Sequence, residues 1–365
     1  MEFALFYEIP VPRPWSRTAE LEAYQAVIAQ AVRADELGWH SLWTVEHHFL
    51  EEYSHCPNPE VLYGAVAART ERMRIGYGVR LVPNPYNHPV RSAESAAVLD
   101  LISNGRVEFG TGRSSTRIEM EGFGIHPDET RPMWQEGLEH IVGCWTNDEY
   151  EFSGKYWSMP KRRVLPKPIQ EPHPPVWAAT GSESGHRMMG KLGLGLLSFS
   201  VGTPPEELAR RIAIYKEGLA ECTQPLAKFV NPRSACFTMV NCAPTDEESF
   251  EVSRESFEWY PKRSAQLVAS VPRWLDEMKA ERGTYDYLAG AMEAEQHLDQ
   301  VTFEGLRESG ACITGNPDRV IEALRKYEAT GCDLLLCLVN PYKIPPDKVM
   351  QTIELMGKHV LPEFQ

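Results

Sequence analysis

No apolar run in these 365 residues approaches the roughly 20 needed to cross a bilayer, so nothing in the chain asks for a membrane. Positive charge is scarce: 37 lysines and arginines face 51 acids, for a net charge of −14. That balance argues against nucleic acid or an anionic membrane as a partner, while leaving room for one small phosphate in a local cationic pocket. Cysteine is present eight times but never as C-x-x-C, a pattern of buried free thiols in a reducing compartment and not of a disulfide framework or zinc site. The opening Met1-Glu2-Phe3-Ala4-Leu5 has no basic n-region and no cleavage site follows it, so the expected location is cytoplasmic. Internal repeats and low-complexity tracts are also missing.

What the chain does have is alternation. Apolar runs at Phe3–Tyr7, Ser41–Val45, Arg74–Val82, Arg106–Gly112, Val176–Thr180, Gly195–Ser200, Ala235–Cys242 and Asp333–Val339 read as buried strands. Between them lie segments of helical periodicity, such as Leu21, Tyr24, Val27, Ile28 and Ala31, closed by Gly38. Further helices are expected at Pro132–Trp145, Ser182–Leu192, Pro204–Glu221 and Pro345–Val360. Eight strands alternating with helices predict an α/β fold, a (β/α)8 TIM barrel forming a single domain over 1–365, with an open parallel sheet as the alternative. Two segments break the pattern. Residues 147–175, after helix 4, are too proline-rich for a helix and read as a hairpin or excursion. Residues 246–312, after strand 7, form a second insertion carrying Phe257, Trp259, Tyr260, Trp274, Tyr285 and Tyr287. It could be a lid or substrate pocket, or simply an extra packing layer.

Three clusters carry chemistry. In Glu46-His47-His48, strand alternation lets only one imidazole face the barrel interior, which works against a metal held by both, and no H-x-x-x-H helix pattern lies nearby. A pocket histidine titrates near neutral pH and suits acid–base work; the plain alternative is a core histidine satisfied by Glu46. In Gly110-Thr111-Gly112-Arg113 a strand ends in glycines and a guanidinium that can bind a phosphate bidentately, unless the loop is merely polar surface. In Thr180-Gly181-Ser182-Glu183-Ser184 a turn enters a helix N-terminus, a seat for phosphate or a plain N-cap by Ser182. Arg113 and the Ser182 turn would be neighbours at one end of a barrel and could grip one phosphate together. Gly76 and Gly78 mark where a flat ring or another backbone comes close to the third strand.

Taken in order, Glu46-His47-His48-Phe49, Asn58-Pro59, His88-Pro89-Val90-Arg91, Leu99 to Arg106, Phe109 to Arg113, Pro175 to Ser182 and Thr314-Gly315-Asn316-Pro317 resemble the bacterial-luciferase-like flavin monooxygenases nearly end to end. The resemblance implies reduced FMN from a separate NAD(P)H:flavin reductase, O2 as co-substrate, a flavin C4a-peroxide as oxygenating species and a homodimer. It implies His47 as the catalytic histidine, and Glu46, Gly78, Val79, Gly112, Arg113, Thr180, Gly181, Ser182 and Ser184 around the cofactor. Gly112 and Gly181 depart from luciferase, which puts light emission and an aldehyde substrate in doubt. Trp259 and Tyr260 are taken as substrate contacts, implying a small apolar or aromatic substrate. Hydride transfer with deazaflavin F420 is the close alternative. A metal-dependent hydrolase built on His47, His48 and His55, or a non-catalytic subunit, is the more distant one.

Overall fold

Strand β1 (Glu2–Tyr7) pairs in parallel with β2 (Ser41–Thr44), which pairs with β3 (Arg74–Tyr77). The ladder continues through β4 (Val107–Gly112), β5 (Val176–Thr180), β6 (Gly195–Ser198), β7 (Ser234–Cys242) and β8 (Leu334–Leu338). It closes where β8 pairs with β1, Phe3 opposite Leu335. This computed structural model describes residues 1–280 and 283–364, without the side chains of 284, 286, 287, 289 and 294; Tyr287 is thus outside the described residues. The eight parallel strands form a closed barrel, as the alternation predicts. Nearly every residue of the strands is buried, because helices cover the outside and side chains fill the inside.

The covering helices are α1 (Ala19–Glu36), α2 (Pro59–Ala67), α3 (Pro89–Ile102), α4 (Pro127–Thr146), α5 (Glu183–Lys191), α6 (Pro205–Ala220), α7 (Asp246–Glu277), α8 (Pro317–Glu328) and α9 (Pro346–Leu355). Six of them, α2, α3, α4, α6, α8 and α9, start on proline, where the missing N–H costs nothing. Ser182, Thr245 and Asn316 cap α5, α7 and α8 through their side-chain oxygens. Helix α4 starts five residues before the expected Pro132, since a proline in the second turn forfeits only one hydrogen bond. The last helix ends at Leu355 and continues as a π turn over Met356–Val360.

The run Arg74–Val82 is not one strand. It breaks at a cis peptide between Gly78 and Val79 and resumes at Arg80–Leu81, which pairs with β4. The proline-rich excursion is an antiparallel hairpin, Tyr150–Ser153 against Ser158–Arg162. Arg106 serves the fold: its buried guanidinium donates to the carbonyls of Ala67, Thr70, Met73 and Ser103, tying the α2–β3 turn to β4. All eight cysteines are free, and seven are buried.

Gly110 is a glycine for its neighbour's sake. A Cβ there would lie 1.9 Å from the Tyr77 carbonyl oxygen, so any side chain pushes β3 away from β4. Gly110→Ala is expected to cost about 3 kcal/mol, read as a lower denaturant midpoint at unchanged m-value. A loss under about 0.5 kcal/mol would show that this approach is not fixed.

Candidate active site

Groups from four strands gather at the C-terminal end of the barrel. Glu8 follows β1, Glu46 and His47 follow β2, Arg113 follows β4, and Thr180 with Gly181 closes β5. With Gly78, Val79 and Gly112 they line one half-open cavity of about 190 Å³. Its floor is apolar, formed by Phe6, Leu197, Ala235, Phe237 and Leu336 of the barrel interior. Helix α7 contributes Ser264, Leu267 and Val268 to the lining, so the second insertion reaches the C-terminal end of the barrel.

His47 stands between two buried carboxylates. Its Nδ1 lies 2.9 Å from Glu119 Oε1, and its Nε2 lies 3.7 Å from Glu8 Oε2. Burial alone would lower the imidazole's pKa. Glu119, Glu8 and Glu46 overcome it and carry the ring from its ordinary 6.5 up to about 9. Glu119 also accepts from the His48 N–H at 3.0 Å, Ser114 Oγ at 3.2 Å and Thr116 Oγ1 at 2.5 Å. Burial opposes its charge, but His47 and these donors hold its carboxyl below the usual range. Burial pushes Glu8 up, against the pull of His47 and Tyr260.

The sign of the pH effect follows. A histidine whose pKa is higher folded than unfolded stabilises the fold fully below about 6.5, and that contribution disappears as pH rises through about 9. An NMR titration of the His47 ring is expected to show a midpoint near 9, moving downward in Glu119→Gln. A midpoint at the ordinary value in the native chain would refute the clamp.

The two neighbouring histidines have separated. His48 does not line the cavity: its ring stacks on Tyr86 and meets Phe123 edge-on, with Nε2 3.4 Å from Glu46 Oε1. His55 pairs with Glu20 at 2.9 Å, so His47, His48 and His55 do not converge. Glu46 does line the cavity, yet its oxygens receive the Leu81 N–H at 2.9 Å and Asn87 Nδ2 at 2.8 Å. It braces the chain beyond the cis peptide. Gly112 likewise makes room for Val79, whose Cγ2 would be 2.4 Å from an added Cβ.

Arg113 is stacked 4.1 Å over the Tyr285 ring and donates to Thr130 Oγ1 at 3.0 Å, which aims the guanidinium along the cavity wall. Ser182 Oγ caps α5 by accepting from Gly185 N at 3.0 Å and lies 3.3 Å from Ser184 Oγ. Neither serine lines the cavity; they border it at the amino end of α5.

Trp259 and Tyr260, expected as substrate contacts, do not line this cavity. The Trp259 ring is stacked on Tyr342 at 3.9 Å, and Tyr260 on Tyr53 at 5.2 Å. Tyr260 shares a helix face with Ser264 and Leu267, but it sits a turn farther back and spends its hydroxyl on Glu8. Two carboxylates beside His47 were not anticipated from the sequence. Glu8 had a signal, an acid ending an apolar strand just as Glu46 does. Glu119 had none, since only the folding of the Ser114–Thr116 loop brings it under His47.

A family model described as luciferase-like monooxygenase matches residues 1–334. The oxygenase component of the flavin-dependent trigonelline monooxygenase of Acinetobacter baylyi is 27% identical over 368 residues, 100% of this chain and 96% of that protein. An F420-dependent glucose-6-phosphate dehydrogenase of Amycolatopsis mediterranei is 31% identical over 192 residues, 51% of this chain and 56% of its own. Among solved structures, the FMN complex of the oxygenating constituent of 3,6-diketocamphane monooxygenase from Pseudomonas putida superposes with a TM-score of 0.77 at 23% identity. The alignment covers 100% of this chain and 98% of the other, a likeness of fold.

Proposed function

The chain belongs to the luciferase-like monooxygenase family of flavin-dependent oxidoreductases, and from that premise we propose that it takes reduced FMN from a separate NAD(P)H:flavin reductase and uses O2 to oxygenate a small, largely apolar or aromatic substrate. The observation that carries this reading is the placing of Arg113, the Thr180–Gly181 turn that leads into α5 and His47 around one cavity with an apolar floor. These residues fit FMN. A guanidinium beside a helix amino end suits a phosphate, and the Gly78–Val79 backbone offers a wall for a flat ring. When bound, reduced FMN would supply the electrons that activate dioxygen.

The protein's own residues do the rest. Arg113 anchors the phosphate, with Thr180 and Gly181 beside it. Glu119 fixes the His47 ring through Nδ1 and keeps it charged, so that Nε2 presents a proton to negative charge developing on oxygen. The apolar floor and the α7 side chains in the lining exclude water from that proton. The Acinetobacter relative is an oxygenase component, which supports a partner reductase.

The test is turnover with enzymatically reduced FMN in air against a panel of aromatic and alicyclic compounds. Coupled product formation is expected. Oxygen-independent turnover with F420 would overturn it in favour of hydride transfer, a second reading that rests on the half-chain similarity to the Amycolatopsis dehydrogenase.

We also propose a homodimer through α3, where Val98, Leu101 and Ile102 are exposed beside the exposed Ile169 of the proline-rich segment. Leu101→Lys is expected to halve the sedimenting mass; an unchanged mass would move the interface elsewhere.

A further inference from the structure

Glu8 does more than its share of the His47 clamp requires. Its side chain is 3% exposed and stands in the wall of the cavity, with Oε2 itself buried. Oε1 accepts from the Tyr260 hydroxyl at 2.6 Å. Oε2 has no hydrogen-bond partner among the described residues, and the nearest cation, His47 Nε2, is 3.7 Å away, beyond hydrogen-bond length.

Native interiors rarely leave a polar oxygen bare. The fold does not need Oε2, because Tyr260 uses only the other oxygen. The His47 ring does not need it for orientation, because Glu119 already holds Nδ1. Phosphate recognition lies with Arg113, and a carboxylate would repel that group. What remains is the organic substrate. The same cavity is lined by Phe6, Val45, Leu50, Tyr53 and Ser264, apolar surface with the Tyr53 and Ser264 hydroxyls among it.

We propose that Glu8 is the specificity-determining acceptor of this site, and that the substrate therefore carries an O–H or N–H donor on a small, otherwise apolar or aromatic body. This rests on the monooxygenase reading only in calling the occupant a substrate. The physics is that of a pocket built to pair with a donor: an analogue lacking it strands the buried oxygen and is rejected far more strongly than one differing by a methylene.

The experiment compares matched probes on the native chain, with FMN added and without it, by calorimetry: phenol against anisole, and N-methylaniline against N,N-dimethylaniline. The donor member of each pair is expected to bind at least about tenfold more tightly. In Glu8→Gln the amide oxygen serves Tyr260 and the amide N–H faces the cavity, so the preference is expected to vanish or to reverse toward anisole. Equal affinity within both pairs, no detectable binding of either donor, or an unchanged ratio in Glu8→Gln would each overturn the proposal. The comparison on the native chain stands even if the variant fails to fold. FMN affinity is titrated separately. A native chain that does not bind FMN sinks the flavin reading, while the probe ratios judge Glu8 by themselves.

Discussion

His47→Ala is expected to lower coupled oxygenation by roughly 10²- to 10⁴-fold, the usual contribution of a positioned acid–base group. FMN affinity should change little, because the phosphate anchors lie across the cavity. The electrons delivered should then leave as hydrogen peroxide, so that oxygen consumption continues while product falls. His47→Gln keeps a donor of similar size but cannot carry the imidazole's charge, and it should recover only a small part of the loss. Product formation within a few-fold of the native chain in both variants would remove His47 from the chemistry. Glu119→Gln is the graded companion. It leaves the ring in place but deprives it of the anion that sustains its charge, so the alkaline limb of the rate profile should move down from about 9.

Arg113→Ala should weaken FMN binding by about 2–3 kcal/mol, roughly 30- to 150-fold, the range for losing a charge-assisted hydrogen bond. The native interaction should weaken with added salt, and much of that dependence should vanish in the variant. Arg113→Lys is expected to restore only part of the affinity. An ammonium cannot lie flat on Tyr285 as the guanidinium does, nor reach a phosphate with two parallel donors. If Arg113→Ala binds FMN as the native chain does, the phosphate must sit elsewhere in the cavity.

The barrel was legible because its signal is repeated. Strands buried on both faces must be continuous apolar runs, and amphipathic helices must show a 3.6-residue stripe. The break at Gly78–Val79 was not, since nothing in Arg74–Val82 distinguishes a strand from two strands joined by a turned peptide. Arg113 and His47 could be placed at one end of the barrel from their positions after strands alone. The pairing of the Ser114 and Thr116 hydroxyls with Glu119 was not legible, because a short loop cannot reveal which way its side chains turn.

Local pattern was sufficient wherever burial imposes a period on the chain, which covers the closed barrel, the gathering of Arg113 and His47 at one end of it, and the different facing of two adjacent histidines. Side-chain partnership across the fold was not available to it. Glu8, Glu119 and Tyr260 are 72 or more residues from at least one of the groups they engage: Glu119 meets His47 across 72, and Tyr260 meets Glu8 across 252. Whether an aromatic on α7 lines the cavity or leans on another ring depends on the angle at which that helix crosses the barrel. Such choices follow from three-dimensional proximity and from the competition of donors for a buried carboxylate, and closing the barrel is what brings those competitors together.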